Sequence, residues 1–372
     1  MIKVGSDFSG VGAFNQALMR LGIDYEEVFA CDMDKYARET FIHNYGEPKY
    51  YPKDVYEREI PKESLDIYVS SPPCQSFSLA GKRLGKDDKR GILFFNSHEF
   101  IKTNKPKYFI FENVKGLLSD DNGNTFKEWV NMLGGKSVNG LPVLFPYEDS
   151  VPYHIYYKVM NAKKHGVPQN RERVFIVGIR DDADNTFRWA KEEHLTKRLK
   201  DVLENEVDDK YFLSKKMLSD ITYLKKSNGE VANLNKGGER GSVYTEDTDI
   251  MSCLSATDYK QPKQIQVTNN KRVNQNYNKH KDTIEKGDFM DSYNQTIHKD
   301  ITPTITSRIT GSNNYHIFEE KQIRRLTPRE CFRLMDFPDN FTLTCSNTQA
   351  YKQAGNSIVV RCLELIIKEF RI

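Results

Sequence analysis

The sequence predicts an α/β protein: a doubly wound sheet joined to a smaller, loop-rich, β-containing domain. Three observations predict it. Short apolar runs alternate with helical patterns over residues 1–180, which is the signature of strands covered by helices on both faces. Between 181 and 321 Asn, Lys, Thr, Asp and Gly dominate, and strong periodicity fades. From 322 onward apolar residues recur again at helical spacing. The expected division is therefore a first domain built from 1–180 plus 322–372, and a second from 181–321.

The elements follow in order. "IKV" (2–4), "EVFAC" (27–31), "LDIYVSS" (65–71), "KYFIFENV" (107–114), "YHIYYKVM" (153–160) and "RVFIVGI" (173–179) read as buried strands. Between the first two, "GAFNQALMRLG" places Phe14, Ala17, Leu18 and Leu21 on one helical face, and Gly22 supplies the left-handed residue that ends the helix. In "TPRECFRLMDFP" (327–338) Thr327 is an N-cap candidate with Glu330 at the capping-box position. In "GNSIVVRCLELIIKEFRI" Ile358, Val359, Cys362, Leu363, Leu365 and Ile366 define an apolar helix that must pack on the sheet.

Composition removes several function classes. No stretch approaches the roughly 20 apolar residues of a membrane span, and "MIKVGSDFSG" reads as a strand entering a loop rather than a leader. The expectation is a cytoplasmic protein. The 6 cysteines show no CxxC or Cys/His spacing, so neither a disulfide framework nor a metal site is expected. Net charge is only +3, but the basic runs at 163–174, 197–200, 269–281 and 321–333 suit an anionic partner.

Four stretches carry chemistry. "VGSDFSGVGAF" (4–14) runs from a strand through a glycine turn into a helix, where Gly10 and Gly12 permit close approach of a ligand and Val11 lies between them. Asn15 takes the place of the third glycine of a GxGxxG fingerprint, which disfavours a pyrophosphate-bearing dinucleotide. Asp32, at the end of the next strand, can accept from ribose hydroxyls, and Asp54, placed after a short third strand, can accept from an adenine amino group. "SSPPCQSFSLAGKR" (70–83) mounts Cys74 rigidly behind Pro72 and Pro73, a geometry suited to a nucleophile provided cations favour the thiolate. "FIFENVKG" (109–116) sets Glu112 after an apolar run that should raise its pKa. In "GVPQNRERV" (166–174) alternation puts Arg171 and Arg173 on one face, where they can hold a carbonyl oxygen and steady a thiolate. Taken singly, each admits a structural reading: a turn, an inert thiol, a capping carboxylate, an exposed edge.

Together, and in this order, they resemble the DNA (cytosine-5)-methyltransferase family of bacterial and phage type. "FSGVG" resembles its S-adenosylmethionine loop, "PPCQ" its nucleophile motif, "ENV" its glutamate motif and "QNRERV" its arginine motif. "RRLTPRECFRLMDFPD" (324–339) resembles the helix framing the recognition region, and "QAGNSIVV" (353–360) the final cofactor motif. Two positions depart from the pattern: Ser6-Asp7-Phe8 stands where the family has Asp-Leu-Phe, and Ala13 replaces a common second glycine.

The resemblance implies a Rossmann-like methyltransferase sheet and a target-recognition domain. It implies Cys74 as nucleophile at cytosine C6, Glu112 on N3 and the exocyclic amine, and Arg171 and Arg173 on O2. It places Phe8, Gly10, Val11, Gly12, Asp32, Met33, Asp54, Val55 and Pro73 around S-adenosylmethionine. Asn356 and Ser357 join them at the start of the last helix, whose N-terminus would receive the methionine carboxylate. Gln75, Ser78, Lys82 and Arg83, in and beside a closing loop, would contact double-stranded DNA. Gly238 and Arg240 of "KGGERGSVY" (236–244) would do so from the second domain. A monomer is expected, with a restriction endonuclease as functional rather than physical partner. Two other readings stay open on sequence: a tRNA cytosine-5 methyltransferase, and an NAD-dependent oxidoreductase sharing the glycine loop.

Overall fold

The computed structural model describes residues 1–73, 92–212, 223–225, 231–233, 242–245, 250–256, 264–267, 289–291, 296–298, 315–317 and 322–372. The chain forms two compact units. The first comprises 1–202, 250–260 and 328–372, and the second 203–249 and 261–327. Residues 181–202 and 250–256, grouped with the second domain on composition, thus pack within the first unit.

The first unit is built on an eight-stranded sheet. Its elements are β1 (Ile2–Asp7), α1 (Ala13–Arg20), β2 (Tyr25–Cys31), α2 (Lys35–Tyr45), β3 (Ile67–Ser70), α3 (Ile92–Asn104), β4 (Tyr108–Val114), α4 (Asn124–Leu133), β5 (Ser137–Val138), β6 (Leu141–Pro142), β7 (Tyr153–Asn161), β8 (Gln169–Asn170) and β9 (Glu172–Arg180). The sheet order is β2-β1-β3-β4-β9-β7-β5-β6. Strands β1 to β4 are parallel, and β9 runs antiparallel to β4 and β7. Because β2 and β3 flank β1 on opposite sides, the order reverses at β1, and the carboxyl ends of β1 and β3 open the crevice where such sheets take their ligands.

The apolar runs become strands because helices bury both faces of the sheet. Val4, Tyr68, Phe109, Ile110 and Ile176 are all within 1% of full burial. Tyr68 stacks on Phe100 of α3 at 4.2 Å between ring centres, and Phe94 stacks on Trp129 at 4.1 Å. Helix α1 ends as its sequence requires, with Gly22 at φ 65.

Downstream of the second unit lie α5 (Pro328–Leu334), α6 (Asn347–Asn356) and α7 (Val360–Ile367). All six residues of the expected stripe are buried, but only Cys362, Leu363, Leu365 and Ile366 lie in helix α7, since Ile358 and Val359 precede it. The second unit contains a five-stranded sheet, β10-β11-β12-β14-β18, and a three-stranded sheet, β16-β15-β17. Their strands are β10 (Tyr223–Lys225), β11 (Val231–Asn233), β12 (Ser242–Thr245), β14 (Gln264–Val267), β15 (Phe289–Asp291), β16 (Thr296–His298), β17 (Tyr315–Ile317) and β18 (Gln322–Arg325). Strand β13 (Met251–Ser252) belongs to the first unit, where it pairs with β8. Among the described residues, no helix is long and apolar enough to cross a membrane.

Candidate active site

The glycine loop after β1 is held in left-handed backbone. Phe8, Gly10 and Gly12 have φ of 58, 54 and 83, a region that glycine enters without penalty and phenylalanine does not. Gly12 is the N-cap before α1, and a Cβ there would stand 2.3 Å from the Tyr45 ring. Gly10 has no atom of the described residues within 4 Å of where a Cβ would be. Asp32 anchors the loop: its carboxylate accepts from Gly10 N and from Asp34 N, both at 2.8 Å. Burial raises its pKa against these hydrogen bonds. Met33 beside it is 80% exposed, whereas Val11 is packed in the core. Asp54 accepts from Tyr56 N at 2.9 Å, and Val55 is buried. No strand precedes Asp54: residues 46–53 are irregular because "GEPKYYPK" offers neither a donor ladder at its prolines nor a continuous apolar run.

A second cluster lies at the carboxyl ends of β3 and β4 and the amino end of the antiparallel β9. Glu112 is opposite Phe175 in the β4–β9 ladder, and Arg173 is opposite Val114. The two are therefore diagonal neighbours on one face, and Arg173 Nε lies 3.0 Å from Glu112 Oε1. Burial pushes the Glu112 carboxyl above its usual range, against the pull of Arg173 and then Arg171. Asn113 donates from Nδ2 to the Pro72 carbonyl at 3.1 Å. This ties the diproline mount to the strand that carries Glu112. Cys74, Gln75, Ser78, Lys82, Arg83, Gly238 and Arg240 lie outside the described residues; Pro73 is described and exposed.

Two expectations require correction. Arg171 and Arg173 do share a side, since both reach Cys253 Sγ, at 3.3 and 3.9 Å. Arg171, however, is 3% exposed and directs its terminal nitrogens at the carbonyls of Leu254, Gly355 and Ser357. It does not present them to a ligand's carbonyl oxygen. Asn356 and Ser357 do not start the last helix: Asn356 ends α6, Ser357 caps it in extended backbone, and α7 begins only after Val359. These two residues therefore offer no helix N-terminus to a methionine carboxylate. Asn356 itself is exposed, and Ser357 is buried.

Sequence reasoning missed three parts of the site. Cys253 meets the two arginines from 80 or more positions away, and nothing local to "MSCLS" signals that contact. Gln169 holds the same segment, accepting from Leu254 N at 3.2 Å and donating to Leu334 O at 2.7 Å. Asp7 makes a buried ion pair with Arg58 at 2.9 Å, and Tyr68 donates to its other oxygen at 2.6 Å. Asp7 was visible as a departure from the family pattern; Arg58, in "DVYERE", carried no signal.

This combination can take a nucleoside-like ligand at the glycine loop and a polar planar group at the Glu112–Arg173 pair. A family model of C-5 cytosine-specific DNA methylases matches residues 2–371. The chain belongs to the C-5 cytosine-specific DNA methylase family. This methylase is 34% identical to the orphan methyltransferase M.SPRI of Bacillus phage SPR, over 99% of this chain and 97% of that protein. It is 33% identical to the type II methyltransferase M.Bsp6I of Bacillus sp. strain RFL6, over 98% and 97%. To M.HpaII of Haemophilus parainfluenzae it is 31% identical, over 96% and 86%. In fold, the methylase is similar to a DNMT2 mutant from Spodoptera frugiperda, with a TM-score of 0.66 at 20% identity over 99% of both chains. The putative DNA modification methyltransferase of an E. coli prophage gives a TM-score of 0.56 at 20% identity, over 99% of this chain and 98% of that one. The doubly wound sheet expected from the apolar runs is the Rossmann-like methyltransferase fold.

Proposed function

We propose that this methylase transfers a methyl group from S-adenosylmethionine to C5 of a cytosine flipped out of a specific duplex site, through a covalent bond between Cys74 and C6. The cofactor, when bound, supplies the electrophilic methyl. The residues around the glycine loop suit it: Gly10 leaves room for close backbone approach, and Gly12 can be nothing larger. The Asp32 carboxylate fixes the loop while retaining lone pairs for hydroxyls, and the exposed Met33 offers an adaptable apolar thioether.

The observation that carries the reading is the ion pair of buried Glu112 with part-buried Arg173, beside the Asn113-tethered Pro72. Cytosine C5 is a weak nucleophile. When the Cys74 thiolate bonds to C6, the electron pair of the 5,6 double bond is released toward N3 and C5. Glu112, with its raised pKa, donates to N3 and accepts from the exocyclic amine, so that the negative charge built at N3 is neutralised. Arg173 holds Glu112 and lies next to O2. C5 then takes the methyl carbon while that carbon's bond to the donor sulfur breaks and the neutral thioether is released; a base removes the C5 proton, and the Cys74 sulfur leaves as the 5,6 double bond re-forms. In a duplex both ring faces are stacked, so the target must first be extruded, at a cost of a few kcal/mol.

The second unit, with Arg240 in "KGGERGSVY", reads the site, and Gln75, Ser78, Lys82 and Arg83 contact the DNA. By likeness to type II and phage methyltransferases, we assign the activity to protection of DNA against a restriction endonuclease. The test is bisulfite sequencing of DNA from cells expressing the chain. A single sequence context with protected cytosines is expected, and it should vanish with Cys74→Ser while DNA binding persists. Unprotected cytosines throughout, with folded wild-type protein present, would refute the assignment.

A further inference from the structure

Residues 250–256 return to the first unit between two stretches of the second. Strand β13 runs parallel to β8, pairing Met251 with Gln169 and Ser252 with Asn170. Met251 N also donates to Pro168 O at 2.9 Å. Beyond β13 the segment is gripped by Arg171. One terminal nitrogen donates to Leu254 O at 2.7 Å and to Cys253 Sγ at 3.3 Å. The other donates to Ser357 O at 2.8 Å and Gly355 O at 3.1 Å. Its Nε is buried and makes no hydrogen bond among the described residues.

The two segments that Arg171 joins also touch directly. A Cβ on Gly355 would stand 2.2 Å from the Ser255 carbonyl carbon and 2.3 Å from its oxygen. The carbonyls at 355 and 357 belong to the end of α6, where outward-facing oxygens need a donor and a cation is favourable. A buried guanidinium likewise needs several acceptors. Each side thus satisfies the other, and removing the link would leave three buried carbonyls without this donor.

The two ends lead to different places. Cys253, at one end, also lies 3.9 Å from Arg173, the partner of Glu112. Asn356 and Ser357, at the other, are positions that the family resemblance sets beside the cofactor, although they end α6 rather than start a helix. We infer that Arg171 is a positioning residue that couples the cofactor-side turn 355–357 to the base-side segment 253–254, so that methyl-donor binding orders the wall of the base pocket before DNA arrives. This rests on the proposed cofactor and base sites.

Hydrogen exchange on the wild-type protein tests it first, with S-adenosylhomocysteine as the probe and no DNA. Amides of 250–256, which lie outside the proposed cofactor shell, should exchange at least about tenfold more slowly on binding, within the usual range of inter-site coupling. Calorimetry then separates the arginines. Arg171→Lys, which keeps the charge but not the fork, should weaken S-adenosylhomocysteine binding about tenfold, whereas Arg173→Lys should stay within about twofold. Gly355→Ala presses on the same contact without altering charge, and should mimic Arg171→Lys. Saturable binding to wild type with unchanged exchange at 250–256 would overturn the inference and leave the functional reading standing. So would a folded Arg171→Lys protein of wild-type affinity. Failure of the wild type to bind S-adenosylhomocysteine at all would overturn both.

Discussion

Arg173 Nε lies 3.0 Å from Glu112 Oε1, and both side chains are largely withdrawn from solvent. An ion pair in that setting does two things. It holds a carboxyl whose pKa burial has already raised, and it determines how far that pKa rises.

Removing the cation should therefore change both rate and pH dependence. Arg173→Ala should lower kcat on the order of 10²–10³-fold, the usual effect of losing one donor aimed at developing charge. It should also shift the descending limb of kcat to higher pH, because a carboxyl without its cation keeps its proton longer. Glu112→Gln should lower kcat and remove that limb. Steady-state rates from pH 5 to 9 on unmethylated plasmid DNA check both.

The Asn113–Pro72 hydrogen bond joins the strand end that carries Glu112 to the backbone two residues before Cys74. Asn113→Ala leaves a buried carbonyl unpaired, a loss of roughly 1–3 kcal/mol. The expected result is slower methyl transfer with nearly unchanged affinity for S-adenosylhomocysteine, measured by single-turnover kinetics beside calorimetry.

How much of this could be read from the sequence depends on the range of each interaction. Strands β1, β3 and β4 were legible because burial on both faces forces continuous apolar runs. Glu112 was legible because such a run ends on it. Arg171 was placed on the correct side but given the wrong neighbours, since its acceptors lie 83, 184 and 186 residues away. Helix α6 was invisible because the residues that "NTQAYKQAGN" buries, Ala350, Tyr351, Gln353, Ala354 and Gly355, are mostly small or polar and make no apolar periodicity. That hidden helix moved Asn356 and Ser357 from a helix start to a helix end. The return of 250–256 to the first unit depends on β8, a two-residue strand with no periodicity of its own.

The Asp7–Arg58 pair stands where the family pattern has a leucine at position 7, and it is almost wholly buried. Breaking one partner of such a pair costs about 3–5 kcal/mol, whereas replacing the whole set by apolar groups is often close to neutral. Arg58→Met alone should lower the melting temperature sharply. Asp7→Leu/Arg58→Met/Tyr68→Phe should recover most of the loss, because no buried charge or hydroxyl is then left unpaired. Calorimetric melting of both variants decides it.

Glu27 is pushed by burial from the ordinary range near 4.5 up to about 8, against its hydrogen bond from Asn15. The folded state therefore binds this proton more tightly than the unfolded chain does. Stability contributed by the protonated form is full below about pH 4.5 and declines as pH rises toward about 8. Glu27→Gln keeps an acceptor for Asn15 and does not titrate. It should match wild type at pH 5 and exceed it at pH 8.5 by a few kcal/mol, since each tenfold change in proton affinity is worth about 1.4 kcal/mol. Urea unfolding at the two pH values measures the difference.

The most direct test of the central claim is chemical. Duplex DNA in which 5-fluorocytosine replaces cytosine at the methylated position blocks loss of the C5 substituent, so a covalent intermediate should accumulate. With S-adenosylmethionine present, a complex that survives denaturation is predicted, and peptide mapping should locate the bond at Cys74. Robust methyl transfer to ordinary DNA with no such complex, or with the bond at another cysteine, would contradict the account.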